Sequence, residues 1–253
     1  MTLSLRHSEI LTLARRDGKV TVEGLAAQFG VTVQTIRRDL ADLAEAGELD
    51  RVHGGAMLPS GVRNIGYEDR RGLNEDAKAA MARACAEQIP NDCSLFLNIG
   101  TSTEAVARAL LTHTNLLVAT NNINVANILS ANPECEILVA GGSLRRSDGG
   151  LVGDMATRFI EQFKFDIAVI GCSAIDEDGD LLDFDVQEVS VSRTILRQAR
   201  RVFLVADHSK FGRPAPARIA SLAQIDSLFT DAPLPAQLAA KCADWETTVT
   251  VAP

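Results

Sequence analysis

The chain has 253 residues, 46% hydrophobic and 23% charged, which suits a globular protein of two domains or one large domain with an appendage. Aromatic residues make up only 4%, which disfavours an RNA-binding surface of stacking rings, and no apolar run approaches the roughly 20 residues that span a bilayer. The net charge of −8 leaves contact with nucleic acid to the placement of a few cations.

The opening "MTLSLRHSEI" lacks the apolar core and cleavage site of a secretory signal, so a cytoplasmic protein is expected. "SEILTLARRDG" predicts a helix with Ile10, Leu13 and Ala14 inward, ended by Gly18. "VEGLAAQFG" predicts a short second helix, 22–29, ended by Gly30. Thr32 is placed to cap a third helix, in which Val33, Ile36, Leu40, Leu43 and Ala44 form an apolar stripe and Gly47 is the expected terminator. "ELDRVHGGAML" predicts a hairpin bent at Gly54 and Gly55. Two helices joined by a short glycine turn and followed by a hairpin make a winged helix-turn-helix, whose second helix enters the major groove of DNA.

Gln34, Thr35, Arg37 and Arg38 are the candidate DNA contacts, with Thr32 at the helix start and Arg51 in the wing. Gln suits adenine edges, and Arg suits guanine edges or phosphate. A local Arg38–Asp42 pair at i+4 is an equal alternative for Arg38. Residues 1–58 hold seven Lys or Arg against eight Asp or Glu, a net −1. Binding therefore requires Arg15, Arg16, Lys19, Arg37, Arg38 and Arg51 on one surface, and should weaken steeply with salt.

Residues 59–73, "PSGVRNIGYEDRRGL", lack periodicity and predict a linker whose Arg63, Arg70 and Arg71 are solvated or touch phosphate. "NEDAKAAMARACAEQIP" predicts a helix stopped by Pro90, after which strands and helices alternate. "SLFLNIG", "LLVAT", "CEILVAGG", "FDIAVIGCS" and "RVFLVADHS" are apolar without alternation, as strands buried on both faces of a parallel α/β sheet are. Glycines and polar residues gather at their C-terminal ends, where such sheets bind ligands.

"NIGTSTEAVARAL" offers Gly100 and the N–H groups around Thr101, Ser102 and Thr103 to a phosphate, although a capping box from Thr101 to Glu104 would use the same donors. Asn121, Asn122, Gly141, Gly142, Gly171, Ser173, Asp183, Glu188, Asp207 and Lys210 occupy the other strand ends. Together they suit a polyol phosphate, with Lys210 and backbone donors on the phosphate and carboxylates and amides on the hydroxyls. Asp183, Glu188 and Lys210 would also serve a sugar-phosphate isomerase as acid, base and charge, which is the enzyme alternative. Cys85, Cys93, Cys135, Cys172 and Cys242 are scattered, and the four histidines lack ligand spacing. Reduced thiols, no metal and no cofactor are expected, and Cys172 beside the polar strand ends is read as a buried thiol.

"VTVQTIRRDLADLAEAGELDRVHGGA" resembles the DeoR-type winged helix-turn-helix of bacterial sugar-metabolism regulators. The resemblance lies in the hydroxyl of Thr32, the Thr-Ile-Arg-Arg-Asp-Leu run at 35–40 and the Gly-Gly-Ala wing at 54–56. The second half resembles the effector domain of that family, which is similar in fold to ribose-5-phosphate isomerase. The resemblance implies an α/β fold with a winged helix-turn-helix at 3–58, a linker at 59–73 and an effector-binding domain at 74–253. "IGTSTEAVARALL", "TNNINVAN", "AGGSLRRSDGGLVG", "LLDFDVQEV" and "VADHSKFGR" resemble members that answer to glycerol 3-phosphate. It thus implies a repressor of glycerol metabolism genes, a homo-oligomer (dimer or tetramer) without membrane contact, released from double-stranded operator DNA by a small phosphorylated polyol. Three departures stand out: Ser192 where the family usually has lysine before Arg193, Ala174 where glycine is common, and Ser102 for a frequent threonine.

Overall fold

The computed structural model describes residues 5–46, 48–52, 54–57 and 67–252, which divide between the units Met1–Arg63 and Asn64–Pro253. The first unit contains α1 (Leu5–Asp17), β1 (Lys19–Thr21), α2 (Val22–Phe29), α3 (Val33–Glu45), β2 (Asp50–Val52) and β3 (Gly55–Met57). Local chemistry sets these boundaries. The Thr21 hydroxyl accepts from the Gly24 amide at the start of α2, and Gly30, left-handed at φ 62°, closes that helix. The Thr32 hydroxyl accepts from the Thr35 amide at 3.2 Å and begins α3. That helix is capped by Ala46 in right-handed conformation, and Gly47 lies outside the described residues.

Ile10 and Ala14 of α1, Leu25 of α2, Ile36, Leu40 and Leu43 of α3, and Leu49 and Ala56 around the wing form one buried core. The wing is a three-stranded antiparallel sheet in the order β1-β3-β2. Its first strand was not expected, because three residues are too few to show a period. Gly55 is required by close approach: a Cβ there would lie 1.9 Å from the Val20 carbonyl oxygen and push β1 off β3.

The second unit begins with α4 (Tyr67–Gly72), inside the stretch expected to be a linker; residues 58–66 lie outside the described residues. The helix is tied down by its surroundings. The Tyr67 hydroxyl donates to Glu104, and Lys78 Nζ donates to the carbonyls of Arg70 and Leu73. A six-residue helix held by tertiary contacts leaves no periodic signature.

There follow α5 (Glu75–Glu87), β4 (Cys93–Leu97), α6 (Thr101–Ala109), β5 (Leu116–Thr120), α7 (Ile123–Leu129), β6 (Cys135–Val139), β7 (Ser143–Arg145), β8 (Gly150–Val152), α8 (Asp154–Ile160) and β9 (Phe165–Ile170). The chain continues through β10 (Ala174–Ile175), β11 (Asp180–Asp183), α9 (Val186–Arg197), β12 (Ala199–Val205), β13 (Ala217–Ser221), β14 (Ser227–Thr230), α10 (Ala236–Asp244) and β15 (Thr248–Val251). Seven strands make a wholly parallel sheet in the order β15-β14-β12-β9-β4-β5-β6.

Alternate residues of each central strand enter opposite cores. Phe96, Ala168 and Leu204 pack with α8, α9 and α10, while Leu95, Leu97, Val169 and Phe203 pack with α5, α6 and α7. Burial on both faces explains why these strands appear as unbroken apolar runs. The antiparallel pair β7-β8 and the set β10-β11-β13 were not anticipated. Their strands have two to five residues, and glycines and charged residues flank most of them.

From β4 the chain winds outward through β5 to β6; from β9 it winds the other way through β12 and β14 to β15. The reversal between β4 and β9 is the topological switch point, where a parallel sheet leaves a crevice beyond its strand ends.

Because the core of the first unit is small, Leu40→Ala should cost about 2–5 kcal/mol there. Hydrogen exchange of the full chain should then show lost protection in α1–α3 and unchanged protection in the seven-stranded sheet.

Candidate functional site

Two sites are offered by the two units. In the first, Gln34, Arg37 and Arg38 are exposed on α3, Arg51 is exposed on β2, and Thr32 and Thr35 share a hydroxyl hydrogen bond of 2.9 Å at the helix start. Among the described residues no ion pair joins Arg38 to Asp42, which leaves the Arg38 guanidinium presented to solvent. Arg16 is held by Asp17 at 2.7 and 2.9 Å; the side chains of Arg15 and Lys19 lie outside the described residues.

Asp39, in the middle of the Arg-Arg-Asp-Leu run, is turned inward. It accepts from Arg6 Nε at 2.6 Å and Nη2 at 3.0 Å, and lies 3.3 Å from His7 Nε2. Burial by itself would raise this carboxyl, but the bonds from Arg6 hold it below its ordinary value. Asp39 therefore locks the rotation of α3 against α1 and fixes which face carries the arginines.

In the second unit a cavity opens at the switch point. Gly100, Thr101 and Ser102 line it beyond β4, Gly171 and Ser173 beyond β9, and Asp183, Glu188 and Lys210 from the neighbouring segments. Gly100 has φ 145°, a conformation glycine adopts freely, and its backbone starts α6 without a side-chain cap. The capping box from Thr101 to Glu104 is absent. Instead Glu104 accepts from Tyr67, Asn122 and Asn124, and Thr103 donates to the carbonyls of Asn98 and Gly100. The first-turn N–H groups of α6 thus face the cavity with no capping side chain on them.

Ser173 donates to Asp183 at 3.0 Å, as does the Phe184 amide at 2.6 Å. Burial raises Asp183 despite these bonds. Burial, and then the neighbouring Asp183 charge, push Glu188 up to about 7 against the pull of Arg145, whose Nη2 donates to it at 2.6 Å. The Lys210 ammonium forms no hydrogen bond or ion pair among the described residues, while its backbone amide donates to the Asp207 carbonyl at 3.0 Å. Its ammonium is lowered by burial, by Arg213 and by Arg70, and supported by Asp207.

Several expected residues stand behind the cavity. Asp207 accepts from Asn74 at 3.1 Å and from the Ser209 amide at 3.0 Å, and so shapes the turn that carries Lys210. Asn121 donates to the Leu151 carbonyl, and Asn122 caps α7 and donates to Glu104. Gly141 and Gly142 lie beside α8 and β8, where a Cβ on Gly142 would meet the Val152 carbonyl at 2.6 Å. Ser192 is buried and accepts from Asn98 at 2.9 Å; it braces the end of β4 one layer behind the cavity.

Two family models match the chain: the DeoR-like helix-turn-helix domain over residues 6–62 and the DeoR C terminal sensor domain over residues 73–232. The chain belongs to the DeoR family. It is similar to the glycerol-3-phosphate regulon repressor of Escherichia coli strain K12, with 48% identity over 235 residues and 93% of each chain covered. It is also similar to the glycerol-3-phosphate regulon repressor of Haemophilus influenzae, with 47% identity over 91% of this chain and 90% of that one. A ribose 5-phosphate isomerase A from Methanocaldococcus jannaschii is similar over 55% of each chain, so just over half of that protein is spanned, with a TM-score of 0.41 and 14% identity.

Three lining residues of this DeoR-family cavity were not expected: Arg70, Ile99 and Cys172. Arg70 sits on the helix hidden in the expected linker, and Cys172 was set aside as a buried thiol. Its position between Gly171 and Ser173 after β9 was the available signal. Among the described residues no cluster of His, Cys, Asp and Glu could hold a metal ion, and no helix is long and apolar enough to cross a membrane.

The raised Glu188 has a measurable consequence. Its contribution to stability is full below the unfolded value near 4.5 and is lost as pH rises through about 7. Thermal unfolding of Glu188→Gln beside the parent chain should therefore show the variant gaining relative stability from pH 5 to pH 8. A difference that does not change with pH would place the ionisation of Glu188 elsewhere.

Proposed function

We propose that the chain is a transcriptional repressor of glycerol and glycerol 3-phosphate metabolism genes. In this reading α3 and the wing hold double-stranded operator DNA, and a small phosphorylated polyol in the switch-point cavity, glycerol 3-phosphate foremost, releases it. The observation that carries the proposal is the similarity, at 47–48% identity over nine-tenths of the chain, to two proteins that bear the name glycerol-3-phosphate regulon repressor. The polarity of the cavity supports the ligand class. Lys210 and the first turn of α6 suit a phosphate, while Asp183, Glu188 and Ser173 suit hydroxyls.

Thr32, Gln34, Thr35, Arg37, Arg38 and Arg51 are assigned to the DNA face. Arg37 and Arg38 suit guanine edges or phosphate, Gln34 suits adenine, and Thr32 and Thr35 anchor the helix start. Paired half-sites need two reading heads, so operator binding requires a symmetric dimer or tetramer. Release is a coupling free energy between the two sites, typically about 1–3 kcal/mol, or roughly 5- to 150-fold in affinity.

Fluorescence anisotropy with an operator from a glycerol-metabolism promoter tests both ends. Arg37→Ala should abolish operator binding while glycerol 3-phosphate still raises the melting temperature of the variant; normal operator binding by the variant would refute the placement of the reading face. With the parent chain, glycerol 3-phosphate should weaken the operator complex roughly 5- to 150-fold. Weakening by a different sugar phosphate alone would keep the regulator and change its ligand. Turnover of ribose 5-phosphate would favour an isomerase reading of Asp183, Glu188 and Lys210 instead.

A further inference from the structure

Arg70 lies between the spans of the two family models, 6–62 and 73–232, on a helix that the sequence gives no reason to expect. Its side chain nevertheless lines the switch-point cavity together with Gly100, Thr101, Ser102 and Lys210. Its own bonds are few. Among the described residues Nε is buried without a hydrogen-bond partner, and Nη2 stands 3.7 Å from Asp148. Asp148 is already taken by Arg145, whose Nε and Nη2 both donate to it. A guanidinium brought this far out of water and given only a long ion pair retains donors for another anion.

The base of the side chain, by contrast, is firmly held. Lys78 Nζ donates to the carbonyls of Arg70 and Leu73, and Asn74, left-handed at φ 52°, donates to Asp207 next to the Lys210 turn. The start of α4 is fixed as well, because the Tyr67 hydroxyl bonds Glu104 of α6. Arg70 is thus anchored at its backbone and loosely engaged at its tip, with the anion-favouring start of α6 and the Lys210 ammonium sharing the same cavity.

We propose that Arg70 is a direct ligand of the effector's phosphate, closing a site formed with Lys210 and the first-turn amides of α6. The planar fork of Arg70 supplies two parallel donors to two phosphate oxygens, which a point charge does not. The inference rests on the sensor reading above and deepens it. It also makes Arg70 the cavity residue nearest in sequence to the DNA-reading unit.

Isothermal titration calorimetry on the full chain tests this, with glycerol 3-phosphate and inorganic phosphate as ligands and with Arg70→Gln, Arg70→Lys and Arg71→Gln beside the parent. Arg71 is exposed and does not line the cavity, so its variant should bind as the parent does. Arg70→Gln should weaken glycerol 3-phosphate at least roughly tenfold, the loss expected for a charge-assisted pair, and should remove the weaker heat of inorganic phosphate. Arg70→Lys, which keeps the charge and loses the fork, should fall between.

Parent-like affinity in Arg70→Gln overturns the assignment while leaving the sensor reading in place. If circular dichroism shows Arg70→Gln unfolded, Arg70→Lys decides in the same way, since parent-like affinity there overturns the paired-donor role. A parent chain that binds neither phosphorylated ligand overturns the sensor reading, and this inference with it.

Discussion

The sensor unit depends on a charge balance at the end of a parallel sheet. Lys210, Arg70 and Arg213 are brought near Asp183, Glu188 and Asp207 in a partly buried crevice, where Asp183 and Glu188 are raised by burial and Lys210 and Arg213 are lowered by it. Moving such groups out of water is costly unless each finds a partner. Most do. Asp207 has Asn74 and Ser209, Asp183 has Ser173 and the Phe184 amide, and Glu188 has Arg145. Among the described residues Lys210 and the tip of Arg70 are the least engaged, and both line the cavity together with the start of α6. Cations and acceptors lining one cavity suit a phosphorylated polyol.

The balance can exist there because of topology. Reversal of winding between β4 and β9 opens the crevice, and the turns after those strands carry Gly100 and Gly171 into it. A second layer then keeps the lining in place. Asn98 is bonded to Ser192, Thr103 returns to the Asn98 carbonyl, and Glu104 gathers Tyr67, Asn122 and Asn124. Ser192 belongs to this layer: a small hydroxyl, 1% exposed, that accepts from Asn98.

Much of this was legible in the residues. Apolar runs buried on both faces marked the parallel sheet, and polar strand ends marked Gly100, Thr101, Ser102, Gly171, Ser173, Asp183, Glu188 and Lys210, all of which line the cavity. Strand ends by themselves, however, do not distinguish a lining residue from a brace. Asn121, Asn122, Gly142 and Asp207 hold loops and turns, and only pairing geometry separates the two roles. Arg70 was missed because α4 is ordered by contacts with residues far along the chain, not by a local pattern. Asp39 carries no sign of its role in the sequence, because its bonds to Arg6 and His7 come from a helix some thirty residues away; they make it the pin that orients α3.

Whether the switch-point cavity receives the phosphate of the proposed effector is decided by a crystal structure of the chain with glycerol 3-phosphate. Phosphate density should lie among the first-turn amides of α6, the Lys210 ammonium and the Arg70 guanidinium, with the glycerol hydroxyls turned toward Asp183 and Glu188. Phosphate bound instead in the separate arginine-lined groove of Arg71, Arg83 and Arg108, with the cavity filled by water alone, would contradict this placement.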